Sequence, residues 1–430
     1  MRVYKPSGIK WLGEIPKHWE VTKFKYFYRS NMGETILTQD LETDGIPVYS
    51  ATEEDKFFGK IKNPVNILNV NDFVIPARGT IGAIKIVKEK STCTQTTIFS
   101  KQFKDINPYY VYYFLLGYRK FLFEFIQTAI PQITISQVNE NPIILPPLQE
   151  QKEIAEFLDK KCEKIQNYIN KKQKLITLLQ EKKQALINEA VCGRVACHTE
   201  RSEVSTTAYK PSGIEYLGLI PHHWEVKKLK ILFSLGNGLN ITKQDFVSYG
   251  IPCVSYGEIH SKYPCRLDTS IHKLPYVSET YLADKPQSLL TKGDFVFADT
   301  SEDIEGSGNF TSIQSYVPVF AGYHTIILKP KTSEINDLYF SFLFDSFGIR
   351  SQIRKEVCGV KVFSITKSIL KEIQCLLPPL QEQKEIAAFL DSKVAQINSA
   401  IEKTKKQIEL IKEYKNTLIN EAVCGRIRLN

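Results

Sequence analysis

Few residues of this chain have the types and spacing that metal binding or catalysis requires. One group stands close together, Cys192, Cys197 and His198 in "CGRVACH", and thiolates and imidazoles are the usual ligands of zinc. A second "VCGR" around Cys424 has neither another cysteine nor a histidine beside it. We therefore interpret Cys192 as a thiol at a helix end next to a linker, and we predict no metal site.

The motifs of common catalytic centres are also missing. The sequence has no Walker A motif, no HExxH, no Gly-rich dinucleotide fingerprint after a strand, and no Pro-Asp dipeptide of the metal-dependent nucleases. Asn107 opens "NPYY", which resembles the Asn-Pro-Pro-Tyr loop of adenine-N6 methyltransferases. Tyr109 stands where that loop has its second proline, and no cofactor loop precedes it. We interpret Asn107 as a helix start and predict that the chain is not an enzyme.

Composition indicates a soluble protein of two or three domains. The 430 residues are 43% hydrophobic and 24% charged, and the net charge of +9 is compatible with a polyanionic partner without requiring one. No apolar run approaches the roughly 20 residues that span a bilayer, and the start lacks an apolar signal core. Nine scattered cysteines without a CxxC pair indicate reduced thiols. We expect a cytoplasmic location.

Internal repeats organise the chain. "YKPSGIKWLGEIPKHWEV" from Tyr4 returns from Tyr209 with fourteen of eighteen residues identical, at an offset of 205. "LPPLQEQKEIAEFLD" from Leu145 returns from Leu377 with fourteen of fifteen identical, at an offset of 232, and "INEAVCGR" keeps that offset. The second copy has gained 27 residues, as additions of 17, 7 and 3 between shared anchors. One fold with elaborated surface loops accounts for this pattern, because loops accept insertions at little cost.

Each copy has the pattern of a compact α+β domain. Short β-branched and aromatic runs separated by Gly and Pro, such as "NDFVIPA" and "GDFVFAD", predict strands. One helix is predicted after the strands in each copy, over "PYYVYYFLLGYRKFLFEFI" and over "NDLYFSFLFDSFGIRSQI". We expect its aromatic side chains to lie in the core instead of stacking on bases.

A long helix follows each domain. Residues 150–192 contain no Pro or Gly, and Gly193 is suited to end the helix. At about 1.5 Å per residue this gives a rod of roughly 65 Å. Apolar residues recur at alternating steps of three and four, which predicts a coiled-coil seam. The seam residues are Ile154, Leu158, Ile165, Ile169, Ile176, Leu179 and Leu186 in the first helix, and Ile386, Leu390, Ile397, Ile401, Ile408, Ile411 and Leu418 in the second.

The two seams need partners. We expect the two helices of one chain to pack antiparallel, the first leading to the second domain and the second leading back, with approximate two-fold symmetry; pairing between two identical chains is the alternative. The predicted divisions are a first domain with its opening block at 1–148, a helix at 149–193, a linker at 194–208, a second domain at 209–380 and a helix at 381–430. Two dissimilar domains at a set distance suit a split, asymmetric DNA site.

The repeated blocks also carry a family resemblance. The opening block, the "LPPLQEQKEIA" block and "INEAVCGR", each present twice, together with "ARGTIG" at Ala77, resemble the specificity subunit of type I restriction-modification systems. The resemblance covers essentially the whole chain. It implies two target recognition domains that each recognise one half of a bipartite double-stranded DNA site, and helices that set the spacer and dock two methyltransferase (M) subunits. It also implies restriction (R) subunits in the full complex, with S-adenosylmethionine, ATP and Mg bound by these partners and not by this chain.

Candidate DNA contacts are basic and polar side chains in the variable stretches. Lysines suit phosphates, and an arginine can bind guanine O6 and N7. In the second domain, the acidic "DTSEDIEGSGN" stands where the first has "ARGTIG", so an arginine contact cannot be transferred to it. The candidates are Lys56, Lys60, Lys62, Arg78, Thr80, Gln132, Thr134 and Ser136 in the first domain, and Tyr256, His260, Lys262, Arg266, Thr300, Ser301 and Lys361 in the second.

Two interpretations from other classes compete with this one. A coiled-coil scaffold that bridges proteins would share the helices but lack DNA sequence specificity. A stand-alone DNA methyltransferase would bind S-adenosylmethionine by itself. Three residues of the opening block, Trp11, His18 and Trp19, are interpreted as packing the domain against its helix, not as a metal or catalytic site.

Overall fold

The computed structural model describes residues 3–52, 56–124, 131–194, 208–214, 217–262, 265–357 and 362–427. The chain divides into two compact units, one formed by residues 1–174 with 404–430 and the other by residues 175–403. Each unit therefore contains the start of one long helix and the end of the other. The predicted linker at 194–208 lies almost wholly outside the described residues, as do Cys197 and His198.

The first domain is built from short strands and three short helices. Its strands are β1 Tyr4–Pro6, β2 Glu14–Pro16, β3 Glu20–Lys23, β4 Tyr28–Met32, β5 Ile46–Tyr49, β6 Phe57–Ile61, β7 Phe73–Pro76, β8 Lys85–Ile86, β9 Thr92–Cys93, β10 Thr97–Gln102 and β11 Pro142–Leu145. Its helices are α1 Pro108–Gly117, α2 Arg119–Leu122 and α3 Ile135–Glu140. The long helix α4, Leu148–Val191, follows.

The second domain repeats this order with additions. Its strands are β12 Tyr209–Pro211, β13 Leu219–Pro221, β14 Glu225–Lys228, β15 Phe233–Asn237, β16 Ile251–Val254, β17 Cys265–Leu267, β18 Tyr276–Val277, β19 Leu289–Leu290, β20 Phe295–Ala298, β21 Thr300–Ser301, β22 Phe310–Ile313, β23 Val319–Ala321, β24 Thr325–Pro330, β25 Phe363–Ser364 and β26 Gln374–Leu377. Its helices are α5 Leu229–Leu232, α6 Tyr256–Ser261, α7 Tyr281–Asp284, α8 Asp337–Asp345, α9 Phe347–Glu356, α10 Lys367–Glu372 and the long α11 Leu380–Val423.

Equivalent strands pair in the same way in both domains. The central sheet has the order β4-β10-β7-β8 in the first domain and β15-β24-β20-β22-β17 in the second. The pair β3 with β11 recurs as β14 with β26, directly before each long helix. The extra strand β17 and helix α6 come from the 17-residue addition, so this insertion extends the sheet without changing its order. The fold is thus α+β, with two similar domains.

The single helix predicted after the strands is two helices in each domain. The first domain has α1 and α2 around Tyr118, and the second has α8 and α9 separated by Ser346, whose backbone is extended. The predicted burial is confirmed for Tyr110, Phe114, Tyr339 and Phe344, which are fully buried, whereas the aromatic residues Tyr109, Phe121 and Phe347 of the same segments are exposed. The rings of the four buried residues pack in the core and are not available to stack on bases.

One buried tyrosine closes each unit. The Tyr110 hydroxyl lies 3.1 Å from the Ile144 carbonyl, just before α4, and 3.2 Å from the Val423 carbonyl at the end of α11. Tyr339 makes the same contacts in the second unit, with Leu376 before α11 and Val191 at the end of α4. The start of one helix and the end of the other thus lie together, antiparallel, within each unit. The helix pairing is intramolecular.

The predicted seam is buried or half-buried along both helices. Its fully buried members are Ile154, Leu158, Ile165, Ile169, Ile386, Leu390, Ile401, Ile408 and Leu418. Ile176, Leu179, Leu186, Ile397 and Ile411 are half-buried. Cys162 and Thr404 are also buried at seam positions, which the spacing of aliphatic residues did not predict. No helix among the described residues is both long and apolar enough to cross a membrane.

The repeated "PPLQEQ" block fastens each helix to its domain. Glu150 accepts hydrogen bonds from Trp19 Nε1 at 3.2 Å and lies 2.7 Å from His18 Nε2. Gln151, 1% exposed, donates to the Pro146 carbonyl and accepts from the backbone N–H of Asn107. Glu382 and Gln383 have the same roles in the second unit. The expectation that the opening block packs each domain against its helix is confirmed for His18 and Trp19, whereas Trp11 stacks on Phe121 and packs against Tyr118 of its own domain.

Tyr110→Phe is expected to lower the free energy of unfolding of the first unit by about 1–2 kcal/mol, because it removes a buried hydrogen-bond donor from a protein interior. Burial raises the pKa of Tyr110 well above its usual value, so the hydroxyl stays protonated and able to donate. Hydrogen exchange of peptides from residues 131–170 and 408–427 measures the change. Tyr109→Phe is the control, since Tyr109 is 40% exposed. Equal protection in the two variants would contradict the proposed closing role.

Candidate nucleic-acid interface

The loop after β7 carries the main candidates of the first domain. It is fastened on three sides: the Ile133 N–H donates to the Ala77 carbonyl at 3.0 Å, the Thr80 hydroxyl to the Ala51 carbonyl at 2.9 Å, and Arg119 to the Ile81 carbonyl at 2.8 Å. Thr80 is therefore engaged in holding the loop. Gly79 and Gly82 have φ of +74° and +69°, a backbone conformation that glycine adopts without strain.

Arg78 and Gln132 meet at the surface. The Nε of Arg78 donates to Oε1 of Gln132 at 3.0 Å, and both side chains are exposed. Ser136 is exposed on the neighbouring helix α3, while Thr134 caps that helix by accepting from the N–H of Gln137. The polar run predicted from Gln132 to Ser136 therefore lies next to the arginine loop, although about fifty residues separate the two in sequence.

The three lysine candidates of the first domain surround strand β6. Lys60 lies on that strand and Lys56 just before it, both exposed. Lys62 forms an ion pair with Glu42, which offsets part of its charge. The nearby Lys85 was not predicted: it is 4% exposed, and its Nζ donates to the Ser50 carbonyl and the Thr52 hydroxyl, each at 3.0 Å. No sequence signal separates this buried lysine from a surface one.

Four candidates of the second domain line one cavity. Tyr256, His260, Thr300 and Ser301 surround a volume of about 810 Å³, and Glu302, Asp303 and Glu305 make its wall acidic. The other candidates lie elsewhere. Lys262 is exposed 3.9 Å from Glu258, and Arg266 pairs with Asp391 of α11 at 2.5 Å while stacking on Phe342. Lys361 lies outside the described residues.

Both ring nitrogens of His260 are engaged. Nε2 lies 2.7 Å from the Thr300 carbonyl, and Nδ1 lies 2.9 Å from the Asn309 amide nitrogen. Because a carbonyl only accepts, Nε2 carries the proton and Nδ1 accepts from Asn309. Arg350 in turn donates to the Asn309 oxygen at 2.9 Å. His260 thus joins the Thr300 loop to Asn309.

The loops carrying Arg78 and Thr300 occupy the same place in the two domains. The Ile365 N–H donates to the Asp299 carbonyl at 2.7 Å, as Ile133 does to Ala77. Thr300 is the cross-strand partner of Ser364, and these two positions correspond to Arg78 and Gln132. The same point on the scaffold therefore presents a cation and an amide in one domain and two hydroxyls in the other.

Several lysines near the base of each domain are paired with carboxylates. Lys23 and Lys25 both donate to Glu140 at 2.5 Å, and Lys228 and Lys230 donate to Glu372 at 2.5 and 2.6 Å. Hydrogen bonds from the two lysines lower the pKa of Glu140 to about 2, and the pKa of Glu372 falls to about 2 for the same reason. These ion pairs join the region of β3 to helix α3 in the first domain and the region of β14 to helix α10 in the second.

A protein-family comparison decides the affiliation of the chain. The model of the type I restriction modification DNA specificity domain matches residues 16–180 and again residues 221–410. The chain belongs to this family. The match favours DNA sequence recognition over a coiled-coil scaffold without DNA specificity and over a stand-alone methyltransferase. It also accounts for the two similar recognition domains by a domain that occurs twice.

Individual relatives agree with the family. The chain is 26% identical over 448 residues to the type I restriction enzyme MjaVIII specificity subunit of Methanocaldococcus jannaschii, covering 100% of this chain and 98% of the relative. The EcoKI specificity subunit of Escherichia coli is 25% identical over 216 residues, which are 49% of this chain and 44% of that protein.

Solved structures share the fold. A chain from a study of complex assembly and conformational transition of the type I R-M system matches with a TM-score of 0.68 at 14% identity, covering 96% of this chain and 99% of the other. The HsdS subunit from Thermoanaerobacter tengcongensis matches with a TM-score of 0.50 at 15% identity, over 96% and 98%. At such identities the likeness concerns the fold alone.

In the part of the chain that the structure describes, no group of three His, Cys, Asp or Glu side chains is arranged to bind a metal ion. The seven cysteines described there are free thiols. Burial raises the pKa of Cys192 to about 11, so this thiol is protonated at neutral pH. Cys192 lies buried at the end of α4 in the core of the second unit.

Glu140→Gln is expected to reduce stability at neutral pH, and the difference from the native chain should shrink as the pH falls from about 4.5 to about 2. A carboxylate whose folded-state pKa is lowered stabilises the fold above its unfolded-state pKa, and this contribution is lost on protonation. Denaturant unfolding at a series of pH values measures it. The effect should be modest and fall with added salt, because the pair is exposed. Glu20→Gln is the control, and an equal, pH-independent loss in both variants would contradict this prediction.

Proposed function

We propose that this chain is the DNA-recognising subunit of a type I restriction-modification complex, in which each domain recognises one half of a bipartite, asymmetric double-stranded site. One observation carries the proposal: the two domains share their sheet order, closing tyrosine and helix anchor, but differ at the loops that occupy the same place. Arg78 and Gln132 stand there in one domain and Thr300 and Ser364 in the other. Two domains that have the same backbone scaffold but different surface side chains are suited to bind two different half-sites.

The proposed DNA surface consists of side chains whose polar groups remain open to solvent. In the first domain Arg78, Lys60 and Ser136 are exposed, and Lys56 and Lys62 flank them. In the second domain Tyr256 and Thr300 line the cavity and are partly exposed, Ser301 is buried there, and Lys262 is exposed outside the cavity; we keep Lys361 on sequence grounds. Thr80, Thr134, His260 and Arg266 have internal partners, so we propose that they shape the surface and contribute less direct contact.

The helices are proposed to set the spacer between the half-sites and to dock two M subunits, with R subunits joining in the full complex. The chain itself would be non-catalytic and cytoplasmic, and its partners would bind S-adenosylmethionine, ATP and Mg. Leu178 and Leu410 support the docking proposal. They occupy equivalent positions of the two helices at an offset of 232, and they are 50% and 55% exposed. An exposed leucine at the same place in both helices suits two copies of one partner.

Exchange of residues 24–141 for the corresponding segment of another specificity subunit is expected to change one half of the modified sequence and leave the other half unchanged. These limits preserve the pairs of β3 with β11 and the helix anchor, so the scaffold should stay intact. Methylation-sensitive sequencing of DNA from cells that co-express the chimera with a cognate methyltransferase gives the sequence. A native chain that directs modification to no split sequence would contradict the proposed function, and a change in both halves would contradict independent domains.

Leu178→Lys and Leu410→Lys are each expected to weaken the binding of one methyltransferase copy, because a charge replaces an apolar side chain in the proposed contact. The double variant should lose both copies. Mass measurement of the purified complex by light scattering counts the bound subunits. Lys171→Ala and Lys403→Ala are the matched controls, since these exposed lysines are also equivalent at an offset of 232. Full occupancy in the leucine double variant would place the docking surface elsewhere.

A further inference from the structure

The Arg78 and Gln132 pair has a defined orientation. The guanidinium is planar and offers two edges for paired hydrogen bonds, one of which includes Nε. Nε of Arg78 is occupied by Oε1 of Gln132 at 3.0 Å. The end of the guanidinium with Nη1 and Nη2 thus remains to donate two parallel hydrogen bonds. Because Gln132 fixes the plane of the group, those donors point in one direction.

The backbone beneath this pair is held on both sides. The Ile133 N–H donates to the Ala77 carbonyl at 3.0 Å, so the residues just after Gln132 and just before Arg78 are joined directly. Arg119 donates from Nη2 to the Ile81 carbonyl at 2.8 Å and thereby fixes the far end of the loop. Such support reduces the entropy that Arg78 loses when it binds a ligand.

The second domain provides an internal comparison. Its backbone has the same contact, from the Ile365 N–H to the Asp299 carbonyl at 2.7 Å. Thr300 and Ser364 face each other across β21 and β25 at the positions of Arg78 and Gln132. A scaffold that holds both pairs therefore does not itself require an arginine there, and the side chains at these positions are free to differ with the DNA sequence.

We propose that Arg78 recognises a guanine in the half-site of the first domain through O6 and N7, and that Gln132 is the positioning residue that orients it. Guanine is the base whose major-groove edge presents two acceptors to a paired donor. The half-site of the second domain lacks this contact. The inference rests on the proposed function and adds the chemistry of one base position to it.

The proposed roles of Arg78 and Gln132 can be tested with a DNA library in which both half-sites are randomised. The full chain is used in complex with its methyltransferase, and adenine methylation of each library sequence is measured. The native complex should prefer G·C at one position of the half-site assigned to the first domain. Arg78→Ala should lower that preference by roughly 5- to 150-fold, the range that a bidentate arginine contact provides, and leave the second half-site unchanged. Arg78→Lys should not restore it, because an ammonium lacks the paired donors.

Variants of Gln132 separate positioning from folding. Gln132→Ala should lower the guanine preference by a smaller factor than Arg78→Ala does, and Gln132→Glu should restore it, because a carboxylate also accepts from Nε. Arg29→Ala is the charge-matched control, since Arg29 is exposed on β4 of the same unit and stacks on Phe103. Its preference should equal that of the native chain.

Three outcomes would overturn the inference. One is a uniform loss across sequences with a shallower salt dependence in Arg78→Ala, which identifies a phosphate contact. Another is an unchanged base preference in Arg78→Ala while the native complex still modifies a split sequence; this rejects the pair but leaves the proposed function intact. The third is equal loss in Gln132→Ala and Gln132→Glu, which removes the positioning role. A native complex without any split target would instead reject the proposed function itself.

Discussion

The hydroxyl of a buried tyrosine is the contact on which each unit depends. Tyr110 reaches the carbonyl just before one long helix and the last turn of the other, and Tyr339 repeats this in the second unit. Neither recognition domain is therefore complete within a continuous stretch of sequence. The first includes the last residues of the second helix in its packing, and this explains why "INEAVCGR" is repeated as strictly as the start of the helix. Burial of Ala422, Val423 and Cys424 adds apolar packing to the hydrogen bond.

The repeated "PPLQEQ" block solves a different physical problem. A helix start leaves unsatisfied N–H groups and has a fixed direction only if side chains hold it. Glu150 binds Trp19 and His18, and Gln151 binds the backbone at Asn107, so three separate parts of the domain meet at the first turn. Substitution of either residue would leave a polar group, Trp19 Nε1 or the Asn107 N–H, without its hydrogen-bond acceptor. The loops carrying Arg78 and Thr300 share two backbone hydrogen bonds, from Ile133 to Ala77 and from Ala77 to Thr96 in the first domain and their equivalents in the second, and their side chains have diverged.

Sequence patterns predicted the parts of this fold that depend on periodicity and repetition. The positions of the seam residues on both long helices follow from the spacing of apolar residues alone. The family resemblance followed from the repeated sequence blocks. Cys162 and Thr404 were missed because small polar side chains fit a tight seam without changing its period. The division of the predicted helix at Ser346 depends on one extended residue. The meeting of Arg78 with Gln132, and the burial of Lys85, depend on tertiary packing that no local pattern records.

The pairing of charges limits where DNA can be bound. A net charge of +9 is too small to act as a uniform attraction, and many lysines are already offset: Lys23 and Lys25 by Glu140, and Lys62 by Glu42. In the proposed complex, phosphates would therefore be bound by the exposed cations around the variable loops. In the second domain the acidic wall beside Thr300 would repel phosphates, and in the proposed complex its carboxylates would accept hydrogen bonds from the amino groups of adenine or cytosine. A cationic loop in one domain and an acidic loop in the other favour different bases, and one scaffold can hold both because its backbone contact does not involve their side chains.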